Sequence, residues 1–280
     1  MKEIRSAVDM RNARRDSENR TKPWGLVPTM GFLHEGHLSL LDLARADNDV
    51  VVMSIFVNPL QFGPDEDFET YPRDEARDLE LARQRGVDIV FLPSVEDMYP
   101  PGSASRVSVG QLASFLEGEY RPGHFDGVCT VVAKLFNIVA PDRAYFGQKD
   151  AQQAAVIKKM VDDLAYGVSV VVGPTVREPD GLALSSRNSY LSTGERAAAP
   201  ALYEALRAAA EVVEADGSFE EAEERMEKVA GGAGFHLDYA KVVDPATFAV
   251  PGSGKGVLLV IAGWLGRTRL IDNLLVELEN

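Results

Sequence analysis

Cysteine is almost missing from this chain. Cys129 is the only one in 280 residues, so no internal disulfide can form. It sits inside an apolar-periodic stretch and reads as a small core residue. Long hydrophobic runs are missing too. The longest, residues 50–57 and 257–265, fall well short of the roughly 18 residues that a membrane span needs. The first twenty residues mix Lys and Arg with Glu and Asp around no apolar core, which argues against a signal or transit peptide. Positive charge is scarce: 29 Lys and Arg face 43 Asp and Glu, a formal net charge of -14. Such a surface favours solubility and disfavours a nucleic-acid backbone or an anionic membrane as partner. A site for a polyanion would have to gather its few cations locally. No internal repeat or low-complexity tract is present. A cytoplasmic protein with no nucleic-acid and no membrane partner is expected.

What is there is ordinary for a globular protein: 45% apolar and 26% charged residues, in a chain long enough for a large domain and a smaller one. Strand-length apolar runs recur at residues 25–28, 50–57, 87–92, 144–146 and 168–172. Helical patterns lie between most of them, at 38–46, 75–85, 128–139 and 152–164. In the last, Val156, Ile157, Met160, Val161 and Leu164 share one face at the helical period. Strands that are apolar on both faces and alternate with helices indicate a parallel sheet. Residues 1–175 are therefore expected to form a Rossmann-like, doubly wound α/β domain.

The pattern changes near Thr175. Residues 192–210 and 219–229 look like exposed helices, and residues 211–228 carry eight acids against two bases, a solvated face. Strand-like runs follow at 236–243, 256–263 and 268–277, with turn signals at 244–245 and 251–254. Residues 176–280 are expected to form a smaller C-terminal α+β domain with an antiparallel sheet.

The first stretch that carries chemistry is Pro28-Thr29-Met30-Gly31-Phe32-Leu33-His34-Glu35-Gly36-His37, between the first strand and the first helix. The carboxyl end of a strand facing a helix N-terminus is where doubly wound sheets bind anionic ligands. Gly31 and Gly36 let the backbone bend and approach a ligand closely. His34 and His37, three apart, share a face on a helical turn. A lone His-x-x-His is most often a capping or surface pair, and a metal site would want a third ligand that the sequence does not indicate. In its strand–Gly–His–helix setting, the stretch resembles the His-x-Gly-His signature of the nucleotidyltransferase superfamily, whose members attack the α-phosphate of a nucleotide.

Four further segments narrow the resemblance. They are Val57-Asn58-Pro59-Leu60-Gln61-Phe62-Gly63 with Tyr71-Pro72-Arg73; residues 117–128; Phe146-Gly147-Gln148-Lys149-Asp150-Ala151-Gln152-Gln153; and residues 176–188 around Leu184-Ser185-Ser186-Arg187. In this order they resemble the pantothenate synthetase family, the pantoate–β-alanine ligases, from about residue 28 to 191 and more weakly to the end. The resemblance implies ATP-dependent condensation of pantoate with β-alanine through a pantoyl adenylate, releasing AMP and pyrophosphate. It implies Mg with the ATP, a homodimer, and a C-terminal domain acting as a lid. Carried over by match, Met30, Gly31, Phe32, Leu33, His34, Glu35, Gly36 and His37 line the ATP site. So do Gly147, Gln148, Lys149, Asp150, Val176, Leu184, Ser185, Ser186 and Arg187. His37, His34, Lys149 and Arg187 would be catalytic. Gln61 and Gln153 would bind pantoate, and Gln61 also β-alanine.

The residue types suit these roles. Gln61 and Gln153 carry neutral amides that both donate and accept, as the hydroxyls of a dihydroxy acid require. Lys149 is a flexible point charge and Arg187 a fork-shaped donor set, both suited to phosphate oxygens. One position departs from the family: Gln148 stands where the relatives commonly have Glu. Residues 62–73, with Gly63, Pro64 and several acids, read as a mobile loop that could lie over a reactive intermediate. Three rivals are weaker. A nucleotidyltransferase that keeps AMP in its product should lack the two glutamine segments. A regulatory module should have lost the histidines, Lys149 and Arg187. A tRNA-directed enzyme should show a basic face.

Overall fold

The computed structural model describes residues 1–16, 21–64, 66–252 and 256–278. These form two compact units: Met1–Gly147 with Val156–Gly173, and Gln148–Ala155 with Pro174–Asn280. The strands are β1 Lys2–Ile4, β2 Trp24–Thr29, β3 Val50–Ile55, β4 Ile89–Phe91, β5 Arg143–Gly147, β6 Ser169–Gly173, β7 His236–Val243, β8 Gly256–Leu265 and β9 Thr268–Glu277. The helices are α1 Ala7–Arg15, α2 Glu35–Asp47, α3 Glu75–Gln84, α4 Val95–Met98, α5 Glu117–Tyr120, α6 His124–Val139, α7 Ala151–Asp163, α8 Thr193–Ala198, α9 Ala201–Glu214 and α10 Phe219–Gly232.

In the first unit β1 to β6 make one sheet in the order β1-β4-β3-β2-β5-β6, parallel at every pairing. The inner strands β2, β3 and β4 are almost wholly buried because both faces are covered. Trp24, Leu26, Val50, Val52, Ile89, Phe91, Ala144 and Phe146 pack with Met10 of α1, α6 and the second half of α7. The residues between them, Val27, Val51, Met53, Val90 and Tyr145, pack with Leu38 and Leu41 of α2 and Ala82 of α3. This is the strand period of two, with both halves buried. Cys129 is buried in the first of these layers, where burial pushes its thiol up to about 12. It is the core residue that its setting predicts. The chain leaves β2 toward β3 and β4 on one side, and β5 and β6 lie on the other. That reversal beside β2 is the switch point where such sheets hold ligands, at the carboxyl ends of the strands.

The second unit has the antiparallel sheet β7-β8-β9. Val257, Leu259 and Ile261 of β8 join Leu202, Leu206 and Ala209 of α9 and Ala222, Met226 and Ala230 of α10 in one core. Ser218 starts α10 through a reciprocal cap: its Oγ accepts from the Glu221 N–H at 3.1 Å, and a Glu221 carboxylate oxygen accepts from the Ser218 N–H at 2.9 Å. That pairing satisfies two amides that a helix start leaves open. The parallel α/β sheet with a smaller antiparallel α+β part is the fold class that the sequence predicts.

Three details differ. Strand β1 and helix α1 lie in the first residues, where the mixed charges hide them; in β1 only Ile4 is buried. Residues 192–210 are two helices with a break at Ala199 and Pro200. They are not simply exposed, because Leu202, Ala205, Leu206 and Ala209 face the core. An apolar stripe built mainly from alanine is easily mistaken for a solvated face. Of the turn expected at 251–254, residues 253 and 254 lie outside the described residues, as do residues 17–20 of the opening segment. Among the described residues no helix is long and apolar enough to cross a membrane.

One packing contact fixes a segment of interest. A Cβ added at Gly127 of α6 would lie 2.2 Å from the carbonyl oxygen of Leu60 and 2.6 Å from the Gln61 nitrogen. Only a glycine lets the 3-10 turn Pro59–Gln61 rest directly on that helix. Gly127→Ala should therefore destabilise the protein by about 1–3 kcal/mol, as overpacking does. A urea midpoint equal to that of the parent would contradict this.

Candidate functional site

The turn after β2 takes a shape that few sequences permit. Gly31 has φ 85 and Phe32 φ 51, so two successive residues sit in the left-handed region, which strongly disfavours a side chain at the second. A buried carboxylate holds them there. Asp78 of α3, 1% exposed, accepts from the Phe32 N–H and the Leu33 N–H, each at 2.7 Å. Arg77 donates to the Leu33 carbonyl at 2.9 Å and stands over the Phe32 ring. Burial pushes the Asp78 carboxyl above its ordinary value, while the Leu33 and Phe32 amides and Arg77 pull it back. At Gly31 a Cβ would come within 2.9 Å of the same carboxylate. Glycine is thus needed there for conformation and for room.

This turn delivers the two histidines. His34 is the N-cap of α2 with extended backbone, and His37 lies in its first turn. The His37 Nδ1 accepts from the His34 N–H at 3.3 Å. The two rings lie with centroids 4.1 Å apart, tilted by 35°. They share a face, as their spacing predicts. Glu35 instead points outward to an ion pair with Arg85 at 3.0 Å.

The turn after β3 carries Gln61, and the structure ties it to the histidine loop. Gln61 Nε2 lies 3.3 Å from the Met30 sulfur, a weak acceptor that leaves this donor easily exchanged. Its Oε1 accepts from Asn58 Nδ2 at 3.1 Å. Asn58 is itself buried, donates also to the Gly127 carbonyl at 3.1 Å, and accepts from the Tyr99 hydroxyl at 2.8 Å. Behind the turn, His124 Nδ1 meets the Gln61 carbonyl at 2.8 Å, and its Nε2 lies 3.1 Å from Arg121. A guanidinium only donates, so Nε2 accepts and Nδ1 carries the proton. Burial first, and Arg121 second, push the imidazole down to about 4, keeping it neutral.

Arg121 also grips Glu66 with bonds of 2.8 and 2.6 Å. Phe62 packs edge-on against Phe68 and Tyr71. The described part of the loop 62–73 is therefore held by an ion pair and an aromatic cluster; Asp65 lies outside the described residues. Gly147 ends β5, paired with Gly173.

The remaining candidates belong to the second unit. Gln148, Lys149 and Asp150 form a 3-10 turn that leads into α7, which carries Gln153. Val176 and Leu184 meet across a tight hairpin, the Leu184 N–H donating to the Val176 carbonyl at 3.0 Å. Arg177, beside Val176, forms a two-pronged ion pair with buried Asp272 at 2.5 and 2.9 Å. It also stacks on Tyr203 with its guanidinium carbon 3.8 Å from the ring centre. Ser185 then caps a 3-10 turn, accepting from the Arg187 N–H at 3.3 Å, and Ser186 is buried within that turn.

The structure thus brings Met30 to His37 together with Gln61 in one unit, and Gln148 to Asp150 with Val176 and Leu184 to Arg187 in the other. Sequence reasoning missed Asp78, Tyr99 and, in the second unit, Asp272 and Asn273; Asn58 and His124 lie in the segments that carry the resemblance, but their supporting role shows only in the fold. A usable signal existed for Asp78, an acid four residues before Ala82 on the buried side of α3. Among the described residues no group of three or more His, Cys, Asp or Glu side chains could hold a metal ion.

Known proteins resemble this chain over nearly its whole length. The model of the family described as pantoate-beta-alanine ligase matches residues 2–275. The pantothenate synthetase of Moorella thermoacetica is 52% identical, over 100% of both chains. That of Caldicellulosiruptor bescii is 51% identical, over 98% of both. The crystal structure of pantothenate synthetase from Thermus thermophilus superposes with a TM-score of 0.93 at 50% identity, covering 98% of this chain and 99% of the other. Pantoate-beta-alanine ligase from Francisella tularensis, solved with beta-gamma ATP and beta-alanine, gives 0.83 at 36% identity, covering 98% and 97%. With its fold and nearly its whole length matched, the chain belongs to the pantoate-β-alanine ligase family, a family of ligases.

Proposed function

We propose that this protein condenses pantoate with β-alanine at the expense of ATP, through a pantoyl-adenylate intermediate. The observation that carries the proposal is the pair of adjacent imidazoles, His34 and His37, set at the start of α2 by a turn that a buried carboxylate holds. In the first step a pantoate carboxylate oxygen bonds to the α-phosphorus as the bond to the β-phosphate oxygen breaks, and pyrophosphate leaves. In the second step the β-alanine amine bonds to the activated carbonyl carbon. The carbon–oxygen bond to phosphate breaks, AMP leaves and the amine gives up a proton.

The roles follow from chemistry. His34 and His37 donate to phosphate oxygens on which charge builds in the transition state. Lys149 adds a mobile positive charge and Arg187 a planar clamp. The backbone of Met30 to His37, of Gly147 to Asp150, and of Val176 with Leu184 to Arg187 lines the nucleotide. Gln61 and Gln153 hold the pantoate hydroxyls and carboxylate. Gln61 suits this because its contact with the Met30 sulfur is easily traded for a hydroxyl. A neutral amide also leaves the carboxylate reactive, where a cation would over-stabilise it. β-Alanine takes its place near Gln61.

Magnesium enters with the nucleotide as Mg-ATP. The described residues offer no metal cluster, and this ion is ordinarily held by substrate phosphates, water and one or two carboxylates. A mixed anhydride hydrolyses readily, which gives a lid role for residues 176–280 a chemical purpose. A homodimer, which the family resemblance implies, working in the cytoplasm completes the proposal.

The test of the reaction is isotope exchange. Pantoate with Mg-ATP should support exchange of labelled pyrophosphate into ATP without β-alanine, and β-alanine with Mg-ATP should not. No pantoate-dependent exchange would overturn the proposal. His37→Ala should slow single-turnover adenylate formation by about 10²-fold or more, the effect of losing a transition-state donor worth roughly 2.7–4 kcal/mol, with the fold intact by circular dichroism. A normal first step in that variant would remove His37 from the chemistry.

A further inference from the structure

Lys149 is held by a residue more than a hundred positions away. The side-chain amide of Asn273, on β9 and 5% exposed, donates from Nδ2 to the carbonyl of Gln148 and to the carbonyl of Lys149, each at 2.9 Å. Those two carbonyls belong to the peptide groups on either side of the Lys149 Cα. Fixing both peptide planes fixes the φ and ψ of Lys149 and hence the direction in which its side chain leaves the backbone. The same amide accepts, through Oδ1, from Gln148 Nε2 at 3.0 Å. Both amide hydrogens and the oxygen are then used, and a flipped amide would set its oxygen against two carbonyls.

Asn273 is in turn held in place. Its N–H donates to Asp272 Oδ1 at 2.8 Å, and Asp272 is the buried partner of the Arg177 ion pair. Two adjacent residues of one strand therefore anchor the Lys149 turn and the Val176 hairpin.

We propose that Asn273 is a positioning residue for Lys149, and that Gln148 completes the clamp by donating to it. This gives a physical reason for the amide at position 148. An ionised Glu there could not donate to Asn273 Oδ1, whereas Gln both donates and leaves the clamp uncharged. The inference rests on the proposed role of Lys149 toward the nucleotide phosphates. A flexible lysine side chain finds a phosphate oxygen efficiently only if its stem starts in the right direction, and small misplacements of reacting groups are expensive in rate.

The test is a double-mutant cycle on single-turnover adenylate formation with Mg-ATP and pantoate. Asn273→Ala should slow the step by about 10-fold to 10²-fold, and Gln148→Ala by a smaller factor. In a Lys149→Ala background neither change should slow it by more than about 2-fold further, because its target is already gone. A purely structural role predicts losses that multiply in full, and that result would overturn the clamp. A parent rate in Asn273→Ala would overturn it as well. Should Asn273→Ala fail to fold, the Gln148→Ala cycle gives the same reading. If Lys149→Ala alone leaves the rate unchanged, the role of Lys149 in the reaction falls. A slow Lys149→Ala beside a normal Asn273→Ala removes only the clamp.

Discussion

A single buried carboxylate sets the geometry on which the histidine site depends. Asp78 takes the amides of Phe32 and Leu33, and with them held the chain can turn through two left-handed residues and begin α2 at His34. Without that acceptor, two amides beneath the turn would be buried and unpaired, at about 1–3 kcal/mol each. The amides that Asp78 takes precede α2, so the helix start keeps its own pull on anions. In the proposed reaction His34 and His37, the side chains that the turn presents, add to that pull.

The second unit solves a similar problem with a similar device. There the short segments are the Lys149 turn and the Val176 hairpin, and the distant support is the pair Asp272 and Asn273 on β9. In both units a polar group from a remote part of the chain, buried at the base of a loop, replaces the regular hydrogen bonds that the loop lacks. Gln61 follows the same logic: Asn58, itself held by the Tyr99 hydroxyl, takes its side chain, and His124 takes its carbonyl from behind. Loops that must present polar groups in fixed positions need such supports, because nothing in their own sequence holds them.

Much of the architecture was legible because the strands of a covered parallel sheet announce themselves as apolar runs. The runs at residues 236–243 and 268–277 coincide with β7 and β9, and the run at 256–263 ends two residues short of the end of β8. Strand β1 was not legible, since one buried Ile4 in three residues makes no period. The alanine stripe of α9 looks exposed in the sequence because alanine is nearly as common on surfaces. For the site, the motif residues stood out by type and order, but their supports did not. Asp78 lies in a helix rich in acids and bases, Asn273 in a strand, and His124 just after a turn. Each looks like an ordinary polar residue until the fold buries it against a backbone group far away in sequence.

The most direct test of this account is the affinity of the Asp78→Asn variant for ATP, measured by titration calorimetry beside the parent. Asparagine has the same shape but turns one of the two accepting oxygens into a donor facing a backbone N–H. The account predicts a retained far-UV spectrum and ATP binding weakened by about tenfold or more, as loss of a charged hydrogen bond worth roughly 1.5–3 kcal/mol to the turn would give. Parent-like ATP affinity in a folded Asp78→Asn protein would contradict it.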